Sequence, residues 1–183
     1  LYISNNVSED EFRYAINAGV KVSVDSVSQL ELFGRINPGG KVAFRLNPGV
    51  GAGHHAKVVT GGQKTKFGIE LSHMAEVKRI SGKYNLQIIG INQHIGSLFM
   101  EGDVYLQGAA SILSIARQFD NLEFVDLGGG FGIPYRKQAN QTRLDLGDLG
   151  EKRSDLIRSW ILDYGEEIEI KIDPGRYIVA ESG

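Results

Sequence analysis

Residues 20–46, VKVSVDSVSQLELFGRINPGGKVAFRL, contain a strand, a helix and a second strand in immediate succession. The β-branched run Val20–Val24 predicts a short strand, and Ser26 or Ser28 can cap the helix that follows it. An Asn-Pro-Gly-Gly turn ends that helix, and Val42–Leu46 predicts the next strand. Two strands joined through a helix indicate a parallel pair, because a parallel crossover needs a connection of helical length.

The same cycle recurs along the rest of the chain. Leu1–Ile3 is typical of the end of a strand, and Ser8 and Glu11 have the spacing of a capping box for a helix to about Ala18. Further strands are predicted near Leu86–Gln93, Leu122–Leu127 and Glu167–Ile172, and further helices near Ser72–Ile80, Val104–Phe119 and Lys152–Tyr164. The alternation predicts an α/β fold with a parallel sheet. Six strands can be counted, which suits an open doubly wound sheet or a barrel of eight strands that lacks two, so the pattern leaves both architectures open.

Composition narrows the classes of partner. With 183 residues, 42% of them hydrophobic, the chain can bury the core of one domain or of part of one. Its 20 basic and 22 acidic residues form no long run of either sign, so we expect no nucleic-acid partner and no anionic membrane surface. The apolar stretches are strand-sized, which predicts no membrane span. The absence of cysteine excludes a disulfide or a thiolate metal site and is compatible with a cytoplasmic location. A small-molecule partner is favoured.

A glycine-rich motif follows one of the apolar strands. Asp126-Leu127-Gly128-Gly129-Gly130-Phe131-Gly132 comes directly after Phe124-Val125. Consecutive glycines let backbone amides approach an anion closely, which suits a phosphate cradle, although a tight turn would use the same residues. A dinucleotide site is not indicated, because its glycine fingerprint must open a helix and here Pro134 follows.

Two further motifs follow strands and carry polar groups. In Gln93-His94-Ile95-Gly96-Ser97, His94 can stack on a flat ring or exchange a proton, and Ser97 can donate to a phosphate. The alternative is a histidine that only hydrogen-bonds the rim of the fold. In Asp173-Pro174-Gly175-Arg176, a carboxylate and a guanidinium can serve as acid-base partner and anion clamp, or can simply pair with each other on the surface.

The fourth motif begins inside a strand. Arg45 stands between apolar neighbours, and a buried guanidinium needs a partner. The glycine-rich stretch Asn47–Gly68 that follows is typical of a mobile lid. It contains His54-His55, but adjacent histidines rarely converge on one ion, so we expect no metal.

Taken together and in this order, the motifs resemble those of the PLP-dependent decarboxylases of the alanine-racemase-like barrel fold, and within them the diaminopimelate decarboxylases. The resemblance runs from Asp25-Ser26 to Pro174-Gly175-Arg176-Tyr177, and Gly53-His54-His55 with Thr60-Gly61-Gly62 favours the diaminopimelate branch over ornithine decarboxylases. It implies that residues 1–183 form part of a single PLP-binding (β/α)8 TIM-type barrel domain. The barrel would be incomplete, with its first strands and the family's C-terminal β-domain missing.

The resemblance also implies roles for individual residues. His94 would stack on the pyridine ring of pyridoxal 5'-phosphate, and Asp173 would keep the ring nitrogen protonated, so these two are the predicted catalytic residues. Arg45 would lie near the ring, and Arg176 would also meet a substrate carboxylate. The phosphate end would be lined by Ser97, Gly128, Gly129, Gly130, Pro174, Gly175 and Arg176. A racemase of this fold has an arginine where Asp173 stands, so the carboxylate favours decarboxylation.

Departures from the family pattern limit what the chain is expected to do alone. The family usually has glutamate at the position of Asp173, so the carboxylate here is one methylene shorter. We expect the chain to be an excised segment, since the lysine that binds the cofactor covalently would precede Leu1. Lys41, Lys64 and Lys66 lie in the wrong motifs to replace it. The segment alone is therefore expected to be inactive, and the full-length protein is expected to be a homodimer.

The expected function is PLP-dependent decarboxylation of meso-2,6-diaminopimelate to L-lysine, in lysine biosynthesis, by the full-length enzyme. Three alternatives stay open at this point. One is a non-catalytic PLP carrier of the same fold, and another is a decarboxylase for a different amino acid such as ornithine or arginine. An unrelated phosphate-binding barrel would require the ordered motifs to be coincidence.

Overall fold

The structure, a computed structural model, describes residues 1–49, 66–135 and 141–182. Within these ranges seven strands form one sheet: β1 Tyr2–Ser4, β2 Val22–Val24, β3 Lys41–Asn47, β4 Ile69–Glu70, β5 Gln87–Gln93, β6 Phe124–Gly129 and β7 Glu169–Asp173. Six α-helices are described: α1 Glu9–Asn17, α2 Val27–Ile36, α3 Met74–Tyr84, α4 Asp103–Ala116, α5 Leu146–Tyr164 and α6 Gly175–Val179. A short 3-10 turn, Leu71–His73, leads into α3.

The strand order decides between the two architectures that the sequence pattern allowed. The sheet runs β1-β2-β3-β5-β6-β7, with β4 paired to the end of β3, and every pairing is parallel. A doubly wound sheet reverses its strand order at a switch point. Here each new strand is added on the same side, as in a barrel. The prediction of part of a TIM-type barrel is therefore confirmed, and the doubly wound alternative is wrong.

The two faces of the sheet bury different side chains. Along β3, Val42, Phe44 and Leu46 join the large apolar core beneath the helices. The intervening Ala43 and Arg45 point to the opposite face, because successive side chains of a strand alternate. That inner face has a small apolar layer of Ala43, Ile89 and Phe124. Towards the carboxyl-terminal ends of the strands, the buried side chains of this inner face are polar.

Capping residues explain where the helices begin and why α5 begins earlier in the chain than predicted. Ser8 and Glu11 form the predicted capping box of α1, and Ser26 caps α2. The helix predicted from near Lys152 instead begins at Leu146, because the Asp145 side chain accepts the Asp148 N–H. Neither β4 nor α6 was predicted.

None of the helices in the described ranges is long and apolar enough to cross a membrane. The same ranges hold no cluster of three or more His, Cys, Asp or Glu side chains that could bind a metal ion. His54-His55 and most of the glycine-rich stretch around it lie outside the described residues.

Candidate functional site

The candidate site lies at the carboxyl-terminal edge of the parallel sheet, where β3, β5, β6 and β7 end. This is the edge at which barrel enzymes place their reacting groups. Arg45 and Asp173 are the inward-facing residues near the ends of β3 and β7, and His94 directly follows β5. Gly128 and Gly129 end β6, while Gly175 and Arg176 open α6. The topology therefore brings the predicted motifs of four separate strands to one edge.

Arg45 has the partner that its buried position requires. Only 5% of the residue is exposed, and its Nη1 lies 3.3 Å from Oδ1 of Asp25, which is 7% exposed. The same nitrogen donates to the Asn5 side chain at 3.3 Å, and the guanidinium lies 5.0 Å from the centre of the Phe67 ring. Burial raises the pKa of Asp25 and lowers the pKa of Arg45, while the attraction within the pair opposes both shifts. The pair thus fixes the arginine at the rim of the site.

His94 lies within the electrostatic reach of both Arg45 and Asp173. Its side chain is half-buried, and burial lowers its pKa. The positive charge of Arg45 adds to the lowering, and the carboxylate of Asp173 opposes it. The imidazole is therefore neutral at pH 7, which favours stacking on a flat ring over service as a cation.

A carboxyl group that the sequence analysis did not select lies beneath Asp173. Asp126 is 1% exposed, and its Oδ1 accepts the Gly128 N–H at 2.8 Å. Burial raises its pKa to about 6, and the neighbouring Asp173 carboxyl adds to the rise while Lys171 opposes it. The available signal was a lone acidic residue in an apolar strand, two positions before a glycine triplet.

The glycine triplet permits close packing of three chain segments. A Cβ on Gly128 would lie 2.3 Å from the Gln93 carbonyl oxygen, and one on Gly129 would lie 1.8 Å from the Asp173 carbonyl oxygen. Gly128 and Gly130 also have φ values of +73° and +100°, which favour glycine. The motif therefore sets how close β6 lies to β7 and to the segment after β5. Whether its amides also bind phosphate stays a prediction, and the Gly128 N–H already donates to Asp126.

The remaining predicted residues lie around this packing. Arg176 is exposed, and its Nη1 donates to the Tyr135 hydroxyl at 2.8 Å, so its recorded partner is not Asp173 as the surface-pair alternative required. Pro174 occupies the N-cap position of α6, and no side-chain cap satisfies the first amides of that short helix. Ser97 lies partly buried in the segment after β5.

Comparison with known proteins agrees with this arrangement. Residues 1–180 match the family described as pyridoxal-dependent decarboxylase, pyridoxal binding domain. The diaminopimelate decarboxylase of Methanothermobacter thermautotrophicus is 36% identical over 189 residues, which cover 100% of this chain and 44% of that protein. For the Escherichia coli K12 diaminopimelate decarboxylase the identity is 32% over 175 residues, with 94% and 39% covered.

A solved structure gives the same result in three dimensions. The crystal structure of diaminopimelate decarboxylase from Helicobacter pylori complexed with L-lysine superimposes with a TM-score of 0.85 at 25% identity. The match covers 98% of this chain and 46% of that one. The chain thus spans less than half the length of the relatives it matches.

Proposed function

The chain belongs to the pyridoxal-dependent decarboxylase family, and we propose that it is the PLP-binding part of a diaminopimelate decarboxylase. The observation that carries the proposal is the convergence of Asp173, His94 and Arg45 at the carboxyl-terminal edge of the sheet. The family match itself supports the less specific proposal of a decarboxylase domain that takes a small amino-acid substrate. The substrate itself is proposed from the names of the relatives.

The residues present fit the cofactor. Asp126 and Asp173 place two carboxyl groups together, with Lys171 as the cation that lowers the Asp126 pKa. A further cation at Asp173, such as a protonated pyridine nitrogen, would relieve their repulsion. At the other end of the site, Arg176 and the first amides of α6 supply donors suited to a phosphate. The neutral imidazole of His94, directly after β5, supplies a flat ring at the same edge of the sheet.

PLP, when bound, accepts the electrons left on the substrate carbon as carbon dioxide departs. The residues of this chain keep that electron acceptor in its active state. Asp173 would hold a proton at the ring nitrogen, and His94 would pack against the ring. Arg45, held by Asp25, adds a fixed positive charge near them. Arg176 is proposed to bind phosphate and to meet a substrate carboxylate, and Ser97 with Gly128–Gly130 completes the proposed phosphate end.

The proposal extends to the parent protein. It would convert meso-2,6-diaminopimelate to L-lysine in the cytoplasm as a homodimer. The lack of cysteine in this chain supports a cytoplasmic location.

The test uses the full-length protein that contains this chain, incubated with PLP. Release of carbon dioxide is measured with meso-diaminopimelate, L-ornithine and L-arginine at equal concentrations. Release that is at least tenfold faster with meso-diaminopimelate is the expected result. Preference for ornithine or arginine would overturn the substrate assignment but would still support decarboxylase activity. PLP binding without release from any of the three would instead favour a cofactor carrier.

A further inference from the structure

Two acidic side chains meet at the end of the inner face of the sheet. Asp126 and Asp173 come from adjacent strands, and the pairing of β6 with β7 is irregular between Asp126 and Gly129. Three steps along β6 there correspond to two along β7, since Asp126 pairs with Lys171 and Gly129 with Asp173. The two carboxyl groups come within hydrogen-bonding reach of each other. The contact is thus built by the backbone and by the glycine that lets the strands approach.

The described residues around the pair include two cations, Lys171 and Arg153, and a neutral phenol. Lys171 of β7 lies close enough to favour ionised Asp126, but its Nζ is also 2.9 Å from Glu169. From α4, Tyr105 is fully buried, and burial raises its pKa to about 12 with both carboxyls adding to the rise, so it stays a neutral phenol. Arg153 of α5 lies near the Tyr105 hydroxyl.

The neighbouring strand on the other side adds no charge. From β5, Asn92 is paired with Asp126, and its Oδ1 accepts from Ser23. One oxygen of Asp126 is held by the Gly128 N–H at 2.8 Å, which leaves the other side of the carboxyl for Asp173. Two neighbouring ionised carboxyls repel each other, and because Asp126 is buried this repulsion is screened less than it would be in bulk water. A single proton held between them removes that repulsion and forms a hydrogen bond.

We propose that Asp126 is a positioning residue that holds a proton against Asp173 and releases it to water when a cation binds the Asp173 carboxylate. In the free site the protonated Asp126 orients Asp173 and prevents it from turning away. When a cation occupies Asp173, the attraction makes the doubly ionised pair stable, so the proton leaves and the two negative charges face the cation together. Asp126 thus releases a proton when the cation binds, in addition to orienting Asp173. The identity of the cation, a protonated ring nitrogen, rests on the proposed function.

The first test needs no cofactor and no activity. Infrared difference spectra of the full-length protein without PLP are recorded between about pH 4 and pH 8, a range that brackets ordinary and raised carboxyl pKa values. The wild type should show a protonated carboxyl that titrates near pH 6. Asp126→Asn should lose that band, whereas Asp155→Asn, the same change at a side chain that is 79% exposed, should keep it. The inference is overturned if the band is missing in the wild type or persists in Asp126→Asn.

The second test separates a titrating role from a structural one. Asparagine can accept from Gly128 and donate to Asp173 but cannot release a proton. The affinity for PLP of the wild type relative to Asp126→Asn should fall by up to tenfold per pH unit below about pH 6, because one proton competes with the cation. A constant ratio at all pH values would mean a purely structural Asp126. Both results are independent of carbon dioxide release, so failure here leaves the proposed decarboxylase standing, and failure of the decarboxylase leaves the infrared result standing.

Discussion

Asp173 ends β7 with its carboxyl beside Asp126 and within the electrostatic reach of His94. In the full-length protein, Asp173→Ala should weaken PLP binding without abolishing it and lower the rate of carbon dioxide release by orders of magnitude. The reason is that the change removes the charge that keeps the ring an electron acceptor, while the phosphate donors remain. Asp173→Glu, the residue usual in the family, is the matched control and should retain release. Unchanged turnover in Asp173→Ala would remove Asp173 from the catalytic residues.

The Arg45–Asp25 pair carries a prediction about stability. Asp25→Asn leaves a guanidinium that is 5% exposed without its counter-charge, so the free energy of unfolding should fall by about 3 kcal/mol. Urea denaturation of the full-length protein measures this change. Glu9→Gln disrupts a pair of exposed side chains with Arg13, and the expected loss there is much smaller because water screens exposed ion pairs. Equal losses in the two variants would contradict the assignment of a buried, structurally essential pair.

Asp126 also predicts how stability depends on pH. Its pKa in the folded protein is about 6, above the ordinary value of 3.8, so the folded state binds the proton more tightly than the unfolded state. This contribution to stability is present below pH 4 and is lost as the pH rises through about 6. Without PLP, Asp126→Asn should therefore be more stable than the wild type at pH 8 by about 3 kcal/mol, and nearly equal to it near pH 4. Thermal unfolding at both pH values measures the difference, and a destabilised variant at pH 8 would contradict it.

Among the elements, the end of β6 is the most sensitive to a small change. In Gly129→Ala the new Cβ would lie 1.8 Å from the Asp173 carbonyl oxygen, so the end of β7 must move. We expect weaker PLP binding, by tenfold or more, together with a loss of stability. Gly150→Ala in α5 is the matched control, because its Cβ meets nothing within 4 Å and alanine favours a helix by up to about 1 kcal/mol. Wild-type PLP affinity in Gly129→Ala would mean that the β6–β7 contact does not position Asp173.

The existence of most elements could be predicted because capping residues and apolar periodicity are local signals. The capping box of α1 and the serine cap of α2 are examples. The start of α5 could not be predicted, since Gly147 and Gly150 weaken the helical pattern and only the Asp145 cap marks the true beginning. The two-residue β4 has no periodicity, and it exists because Ile69 pairs with Leu46 of β3.

The residues of the site also fall into two groups, those with a signal in the local sequence and those without one. Arg45, His94 and Asp173 could be selected because each lies at or near the end of a predicted strand and belongs to a motif that resembles those of the family. The partners Asp25 and Asp126 could not be, because their importance depends on which strands are neighbours and on which face each side chain lies. Local sequence carries neither fact. The strand order β1-β2-β3-β5-β6-β7 supplies both.

At the scale of the whole molecule, the two ends of the sheet hold different chemistry. The amino-terminal end has exposed or half-buried ion pairs, with Lys21 and Lys41 both bound to Glu123 at 2.6 and 2.8 Å. The carboxyl-terminal end holds the buried Arg45–Asp25 pair and the Asp126–Asp173 contact. Ion pairs that water can reach contribute little to stability, whereas buried charges are costly to desolvate. The structure therefore places its costly charges at the edge where the proposed chemistry occurs.

The two outer strands predict the behaviour of residues 1–183 produced as an isolated polypeptide. In the described sheet β1 and β7 are each paired on one side, and an open strand edge is a template for pairing with another chain. Light scattering should therefore show concentration-dependent association of the isolated polypeptide.

Ile172→Lys, at an exposed position of β7, should reduce the association because a charge at a strand edge opposes pairing. Leu162→Lys introduces the same charge on α5 at a side chain that is 85% exposed, and it should have no effect. Equal reductions in both variants would attribute the association to general hydrophobicity, and a folded monomer at all concentrations would show that the sheet edges are protected.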